Sequence, residues 1–373
     1  MINRREFNRD LFVGLTSAAS LDPSTLLAQP ADLPFPGELK VSSTGGLTDV
    51  EGIRVGHFTD HRRPTGCTVI ICENGAFTGV DVAGGAPGTR ETDLLNPIMM
   101  VQRAYAVVLS GGSAFGLDAA SGVMRYLDEK GVGFKVGSAG VVPIVPSAIL
   151  FDLEIGNPKI RPTAESGYEA CLAASTGPVV EGNVGAGAGA TVGKLFGMKY
   201  AMKSGLGTAS IHVEGTGVVV AAIVAVNAVG DVYNPANGEI VAGARSANGK
   251  GFVDSMAKIR TGHDVLIRAQ SGANTTIGVV ATNATLTKTQ MNKIAEMAHD
   301  GLARTINPVH TPWDGDSIFA MATATLTRPV SYGMVGALAA DVMAQAVLRA
   351  IANATGLPGL PSYQDLLSQS QKS

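Results

Sequence analysis

Three short segments of this 373-residue chain carry residue types able to do covalent chemistry. The step Asn274-Thr275-Thr276 closes a polar, glycine-bearing loop and opens an apolar run that continues to Thr282. A threonine hydroxyl there is a nucleophile only if a base removes its proton; otherwise the step is an ordinary loop-to-strand junction. Asp314-Gly315-Asp316 sets two carboxylates before the apolar run Ile318-Phe319-Ala320-Met321. Their repulsion calls for a cation, a hydroxyl or an amine, unless they are the solvated acids of an Asp-Gly turn. Lys194 ends the glycine-alanine run 185–193, either as a solvated strand end or as a positive charge aimed into a pocket.

Other motifs fail at single positions. A phosphate loop would need glycine at 188 and a hydroxyl at 195, where Ala188 and Leu195 stand, and Val192 replaces the last glycine of a dinucleotide fingerprint. Ser113, in Gly111-Gly112-Ser113-Ala114-Phe115-Gly116, lacks the glycine of a nucleophile elbow because Phe115 occupies that position. Helix capping by Ser113 explains it, while the turn's amides offer donors to a negative oxygen. His57, His61, His212, His263, His299 and His310 form no HExxH pair, and the acidic pair lacks the other ligands of a calcium loop. No metal and no cofactor is expected.

These residues must be positioned by a large core. The chain is 45% apolar and only 16% charged, with 47 glycines, so disorder is not expected over most of its length. A net charge of -3 leaves no positive field for nucleic acid. Cys67, Cys72 and Cys171 have neither zinc nor disulfide spacing and read as buried thiols. Apolar runs predict strands at 68–72, 104–109, 218–226, 276–282 and 317–324; three-and-four spacing predicts helices at 115–127, 288–306 and 334–351. This alternation implies sheets covered on both faces, a layered α/β fold, and no composition break divides 41–360. The run 218–226 is half a membrane span, so no membrane partner is expected. Arg4-Arg5-Glu6-Phe7 before the apolar stretch 11–21 resembles a twin-arginine export leader; 1–40 is read as that leader or as a disordered arm, leaving location between periplasm and cytoplasm.

The segments Gly84-Gly85-Ala86-Pro87-Gly88-Thr89-Arg90-Glu91-Thr92-Asp93, Leu109 to Asp118, Val142-Pro143-Ile144-Val145-Pro146, Asn274-Thr275-Thr276-Ile277 and Asp314-Gly315-Asp316 together resemble one family. It is the self-processing aminopeptidases and amidases of peptidase family S58, typified by the L-aminopeptidase/D-esterase DmpA, with β-aminopeptidases and nylon-oligomer endohydrolases among them. The resemblance covers about 45–350 and implies an αββα sandwich of the N-terminal-nucleophile type. It also implies autocleavage between Asn274 and Thr275 into 1–274 and 275–373, with Thr275 as the nucleophile. An α-amino group, of pKa about 8, can be its base once the threonine is terminal. Thr276 competes for the role.

By the same resemblance Lys194 hydrogen-bonds the nucleophile, Asn227 donates to the oxyanion, and Asp314 and Asp316 orient the threonine. Phe151 stands where some members have a tyrosine, so a second oxyanion donor there is replaced by amides near Gly111 or Gly112. The implied substrates are small peptides or linear aliphatic amides such as 6-aminohexanoate oligomers. An aminopeptidase needs a carboxylate for the substrate ammonium; an endohydrolase needs an open apolar cleft, and the Asn-Thr-Thr step leans toward the latter. Processed heterodimers are expected to associate, as a tetramer. The rivals are an acyltransferase like ornithine acetyltransferase, which shares the fold, and an uncleaved non-catalytic binding protein.

Overall fold

The long strand Thr65–Val82 organises the molecule. The computed structural model describes residues 33–35, 37–41, 45–249, 251–261 and 274–370. Residues 1–32 of the leader-like span 1–40, His263 and the loop residues Gly272 and Ala273 lie outside them. The first part of the long strand pairs antiparallel with Arg54–Asp60 and Arg103–Ser110. After a register shift between Ile71 and Ala76, its second part pairs antiparallel with Ser317–Leu326. Ser317–Leu326 pairs parallel with Ile277–Ala284, which continues antiparallel to Val218–Ala225 and then Leu206–Val213. On the other side, Arg103–Ser110 is followed by Ser147–Ile149 and Thr89–Arg90. Eight strands thus form one hydrogen-bonded path, Arg54–Asp60 joins the long strand beside it, and this nine-stranded sheet folds into two stacked layers at the long strand.

Side-chain alternation assigns the layers. Val219, Ala221, Ile223, Ile277, Val279, Ala281, Phe319 and Met321 meet Ile70, Cys72, Val107 and Leu109 in a core between the sheets. Their neighbours Val218, Val220, Ala222, Val280, Ile318 and Ala320 turn outward onto the helices Lys288–Thr305 and Tyr332–Ala352. Cys67, Val69, Ile71, Ala106 and Val108 turn onto the helices Ala119–Glu129 and Ala164–Leu172. The result is the expected helix-sheet-sheet-helix sandwich. Strands buried on both faces are continuous apolar runs, which is why the sequence marks them without saying which side faces which layer.

Cys67, Cys72 and Cys171 are buried free thiols. The helix Tyr332–Ala352 is long and apolar enough to cross a membrane but is largely buried in this core. Leu33 pairs with Phe252, the Leu39 amide donates to the Tyr363 hydroxyl at 2.6 Å, and the helix Tyr363–Ser370 adds buried Tyr363 and Leu366, so packing extends beyond 41–360 at both ends. The helix expected from Phe115 begins instead at Ala119, after a 3-10 turn Ser113–Asp118.

Helices Ala119–Glu129 and Ala164–Leu172 cross backbone to backbone. A Cβ on Gly122 would sit 1.6 Å from the Ala164 carbonyl oxygen, and one on Gly167 would sit 1.9 Å from that of Ala119. Gly122→Val is therefore expected to destabilise the protein by about 2 kcal/mol or more through overpacking. A thermal melt checks this; an unchanged midpoint would show that the crossing is looser than described.

Candidate active site

The site forms where the ends of two parallel strands meet. The pairing of Ile277 with Ser317 continues backward as a bridge between Asn274 and Asp314, and the Ser317 amide donates to the Thr276 carbonyl at 3.1 Å. In this register the Asn274 carbonyl oxygen receives the Gly315 N–H at 2.9 Å and also the hydroxyl of Thr275. Asn274, Thr275 and Thr276 are all buried. Gly315 has to be glycine here, since a Cβ would lie 2.8 Å from Thr275 Oγ1 and 2.7 Å from the Ala86 carbonyl. The Gly84-Gly85-Ala86 segment supports the turn: Ala86 N–H donates to Asp314 O at 2.8 Å, and Ala83 N–H to Asp316 O at 3.0 Å.

Asn227 joins Lys194 to Thr275. Its carbonyl oxygen accepts both the Thr275 N–H, at 2.9 Å, and Lys194 Nζ, at 3.0 Å. Two donors on one oxygen are neighbours, so Lys194 stands beside the nitrogen that a cut before Thr275 would free. The Asn227 carboxamide is fixed on both sides: Oδ1 accepts from Lys194 Nζ at 2.9 Å and the Thr191 amide at 3.1 Å, and Nδ2 donates to the Phe151 carbonyl at 3.0 Å. Phe151 thus contributes through its backbone, where its phenyl ring cannot. Burial pulls the Lys194 ammonium down to about 7 against the opposing charge of Asp314, so near neutrality it exists in both forms.

The acidic pair is split by its surroundings. Asp314 Oδ2 accepts from the Thr311 amide at 2.8 Å and hydroxyl at 2.6 Å, while Oδ1 is buried without a hydrogen-bond partner. Burial, then the charge of Asp316, pushes Asp314 up to about 6. Asp316 Oδ1 accepts the Thr276 N–H at 2.6 Å, and Oδ2 accepts the His310 backbone N–H at 3.1 Å with the His310 Nδ1 at 2.8 Å. Asp316 therefore touches the residue after Thr275, through its amide. Thr276 Oγ1 has no hydrogen-bond partner, so the competing hydroxyl lies outside this network.

The Gly111-Gly112-Ser113 turn does something different from what its sequence suggests. Its three amides are already engaged, Gly111 with Gly66 O at 2.9 Å, Gly112 with Asp152 Oδ1 at 2.9 Å and Ser113 with Leu150 O at 3.0 Å. They are not open donors for an oxyanion, which corrects that expectation. Nor does Ser113 cap the helix: the cap position is Gly112, with a left-handed φ of 84°, and no side-chain cap bond forms. The turn is scaffolding. Asp152 pairs with Arg63, both side chains fully buried, and also accepts from Thr65 Oγ1 at 2.6 Å. This anchor fixes the segment that presents the Phe151 carbonyl to Asn227. Thr311, His310 and Asp152 were given no role from sequence, and Gly315 only a place between the two acids; the fold brings them to the site.

The model of peptidase family S58 matches residues 45–363. An uncharacterised aminopeptidase of Mycobacterium bovis is 43% identical over 350 residues, covering 86% of this chain and 97% of that protein. A 6-aminohexanoate-oligomer endohydrolase of a Kocuria species is 30% identical over 360 residues, covering 89% and 95%. Among solved structures, a Burkholderia β-aminopeptidase superposes with a TM-score of 0.63 at 21% identity, over 94% of this chain and 98% of that one. The L-aminopeptidase D-Ala-esterase/amidase of Ochrobactrum anthropi, a variant of the Ntn-hydrolase fold, gives 0.63 at 20% identity over 91% and 97%. The chain belongs to peptidase family S58 and is a hydrolase of peptide or amide bonds.

Proposed function

We propose that this protein is a self-processing amide hydrolase that cuts itself between Asn274 and Thr275 and then uses Thr275 as an N-terminal nucleophile. The observation that carries this reading is the Asn274 carbonyl, which accepts both the Thr275 hydroxyl and the Gly315 N–H at 2.9 Å. The hydroxyl rests against the bond it has to break, and an amide donor already faces the oxygen on which negative charge develops. In the first step Thr275 Oγ1 attacks the Asn274 carbonyl carbon while neutral Lys194 takes the hydroxyl proton. The C–N bond breaks, the Thr275 nitrogen is protonated, and an ester links Asn274 to Thr275 Oγ1. Water opens the ester, leaving an Asn274 carboxylate and a terminal threonine.

In turnover the free amine is the base and the same hydroxyl forms an acyl-enzyme with the substrate. Lys194 beside that amine disfavours its protonated form by like-charge repulsion. Asn227 donates to the acyl oxyanion, Asp316 orients the threonine segment, and Asp314 balances the Lys194 charge. The substrate class supported best is a peptide with a free amino end. Glu154, an exposed carboxylate, lines the small cleft beside Lys194 with Phe151, Ile155 and Met198. It is the anion an aminopeptidase needs, which moves the reading away from endo-cleavage.

Thr275→Ala is expected to remain one polypeptide with activity lowered on the order of 10³-fold or more, whereas Thr275→Ser is still cut. Denaturing gels and an amide assay check this; a processed Thr275→Ala protein would refute the role of the hydroxyl. For the wild type, self-cleavage is expected to quicken about tenfold per pH unit up to the Lys194 value of about 7 and then stop rising. A rate indifferent to pH between 5 and 7 would remove Lys194 as the base. Because Glu154 is exposed, its contact with an ammonium is worth only about 0.5–1 kcal/mol. Glu154→Gln should raise KM about two- to fivefold for free-amine peptides and leave amino-blocked amides unchanged; equal effects on both would contradict the assignment.

A further inference from the structure

The deepest feature of the site left unused by this mechanism is a pair of histidines behind Asp316. His310 lies in the turn before the acidic pair and holds Asp316 Oδ2 twice, through its backbone N–H at 3.1 Å and its ring Nδ1 at 2.8 Å. The other oxygen of the same carboxylate takes the Thr276 N–H at 2.6 Å. From the helix Lys288–Thr305, the ring of His299 meets that of His310 edge-on, with centroids 4.7 Å apart. His299 Nε2 in turn faces Asp81 of the long strand, whose carbonyl lies at 3.2 Å and carboxylate at 3.4 Å. A continuous line therefore runs from Asp81 through His299, His310 and Asp316 to the backbone of the nucleophile segment.

We propose that His310, in its charged form, is a positioning residue that fixes the Asp316 carboxylate and through it the reactive geometry of Thr275. The proposal rests on Thr275 being the nucleophile. Asp316 is almost fully buried, and a carboxylate there needs an ionic or hydrogen-bonded partner to stay charged and in one rotamer. His310 supplies both. The groups facing it agree in sign: Asp316 and Asp314 are acidic, and His299 is kept neutral by burial and by the neighbouring charge of His310. Burial alone would pull His310 down, but the hydrogen bond and charge of Asp316 outweigh it and raise its value above the ordinary 6.5. The pairing is therefore complete at pH below about 6.5 and is lost as pH rises through the raised value. A proton leaving His310 loosens Asp316 and, with it, Thr275.

The test is the pH profile of self-cleavage in three full-length proteins. The wild type is expected to lose rate on the alkaline side. His310→Asn presents an amide nitrogen near the position of Nδ1 but carries no charge; it should cleave within about threefold of the wild type near pH 7 and lack the alkaline fall. His310→Ala, with neither bond nor charge from the side chain, should be slowed at least tenfold across the range. A histidine serving only to fill space predicts that the alkaline fall survives in His310→Asn, and that result overturns the proposal. If His310→Asn does not fold, NMR titration of the ring in the wild type and in Asp316→Asn replaces it. A His310 pKa unchanged by Asp316→Asn is then the overturning result, and a fall is the expected one. A wild-type chain never cut before Thr275 sinks the nucleophile reading itself, whereas a cut chain with an unaltered His310→Asn profile sinks only this role.

Discussion

The parallel pairing of two strand ends, Asn274 to Ile277 against Asp314 to Ser317, is the constraint from which the rest of the site follows. Parallel neighbours need a long crossover, and here the helix Lys288–Thr305 lies within it, so the carboxylates arrive from about forty residues downstream of the threonines. Once the register is set, the Gly315 amide must fall on the Asn274 carbonyl and Asp316 on the Thr276 amide. No flexible side chain has to search for the Asn274-Thr275 peptide. The backbone of one strand end is the receptor for the backbone of the other.

Around that ladder the protein buries charges that would be costly apart. Lys194, Asp314 and Asp316 are each less than a tenth exposed, and Lys203 and Asp231 are buried nearby in the same sandwich. Unpaired, such groups neutralise rather than stay charged, and Lys194 and Asp314 are both drawn toward neutral pH for that reason. Acid–base groups with values close to the working pH exchange protons with the least penalty. The half-satisfied state of Asp314, with one oxygen doubly bonded by Thr311 and the other without a hydrogen-bond partner, is an arrangement a purely structural turn would not favour.

Much of the fold was legible because both-face burial leaves unbroken apolar runs at the strands Val218–Ala225, Ile277–Ala284 and Ser317–Leu326. What those runs conceal is facing: an all-apolar strand carries no alternation to tell the inter-sheet core from the helix side. Lys194, Asn227, Thr275, Asp314 and Asp316 received their roles through motif resemblance; Lys194 and Thr275 meet on Asn227, Asp316 holds the next amide, and Asp314 is held by Thr311. His310 was missed because its partner is six residues away across a turn where it adopts a left-handed φ of 54°, a relation with no helix or strand period. Arg63 and Asp152 were missed because an ion pair formed across 89 positions leaves no local trace. The Gly111-Gly112-Ser113 turn misled for a related reason: exposed amides in sequence terms were amides bound to distant carbonyls and to Asp152 in space.

On the proposed mechanism one peptide bond, held between these strand ends, is broken to make the catalyst. N-terminal sequencing of the purified active protein tests it most directly. Two polypeptides are expected, the smaller beginning Thr275-Thr276-Ile277-Gly278. An active protein with a single continuous chain, or a fragment beginning at Thr276, would contradict it.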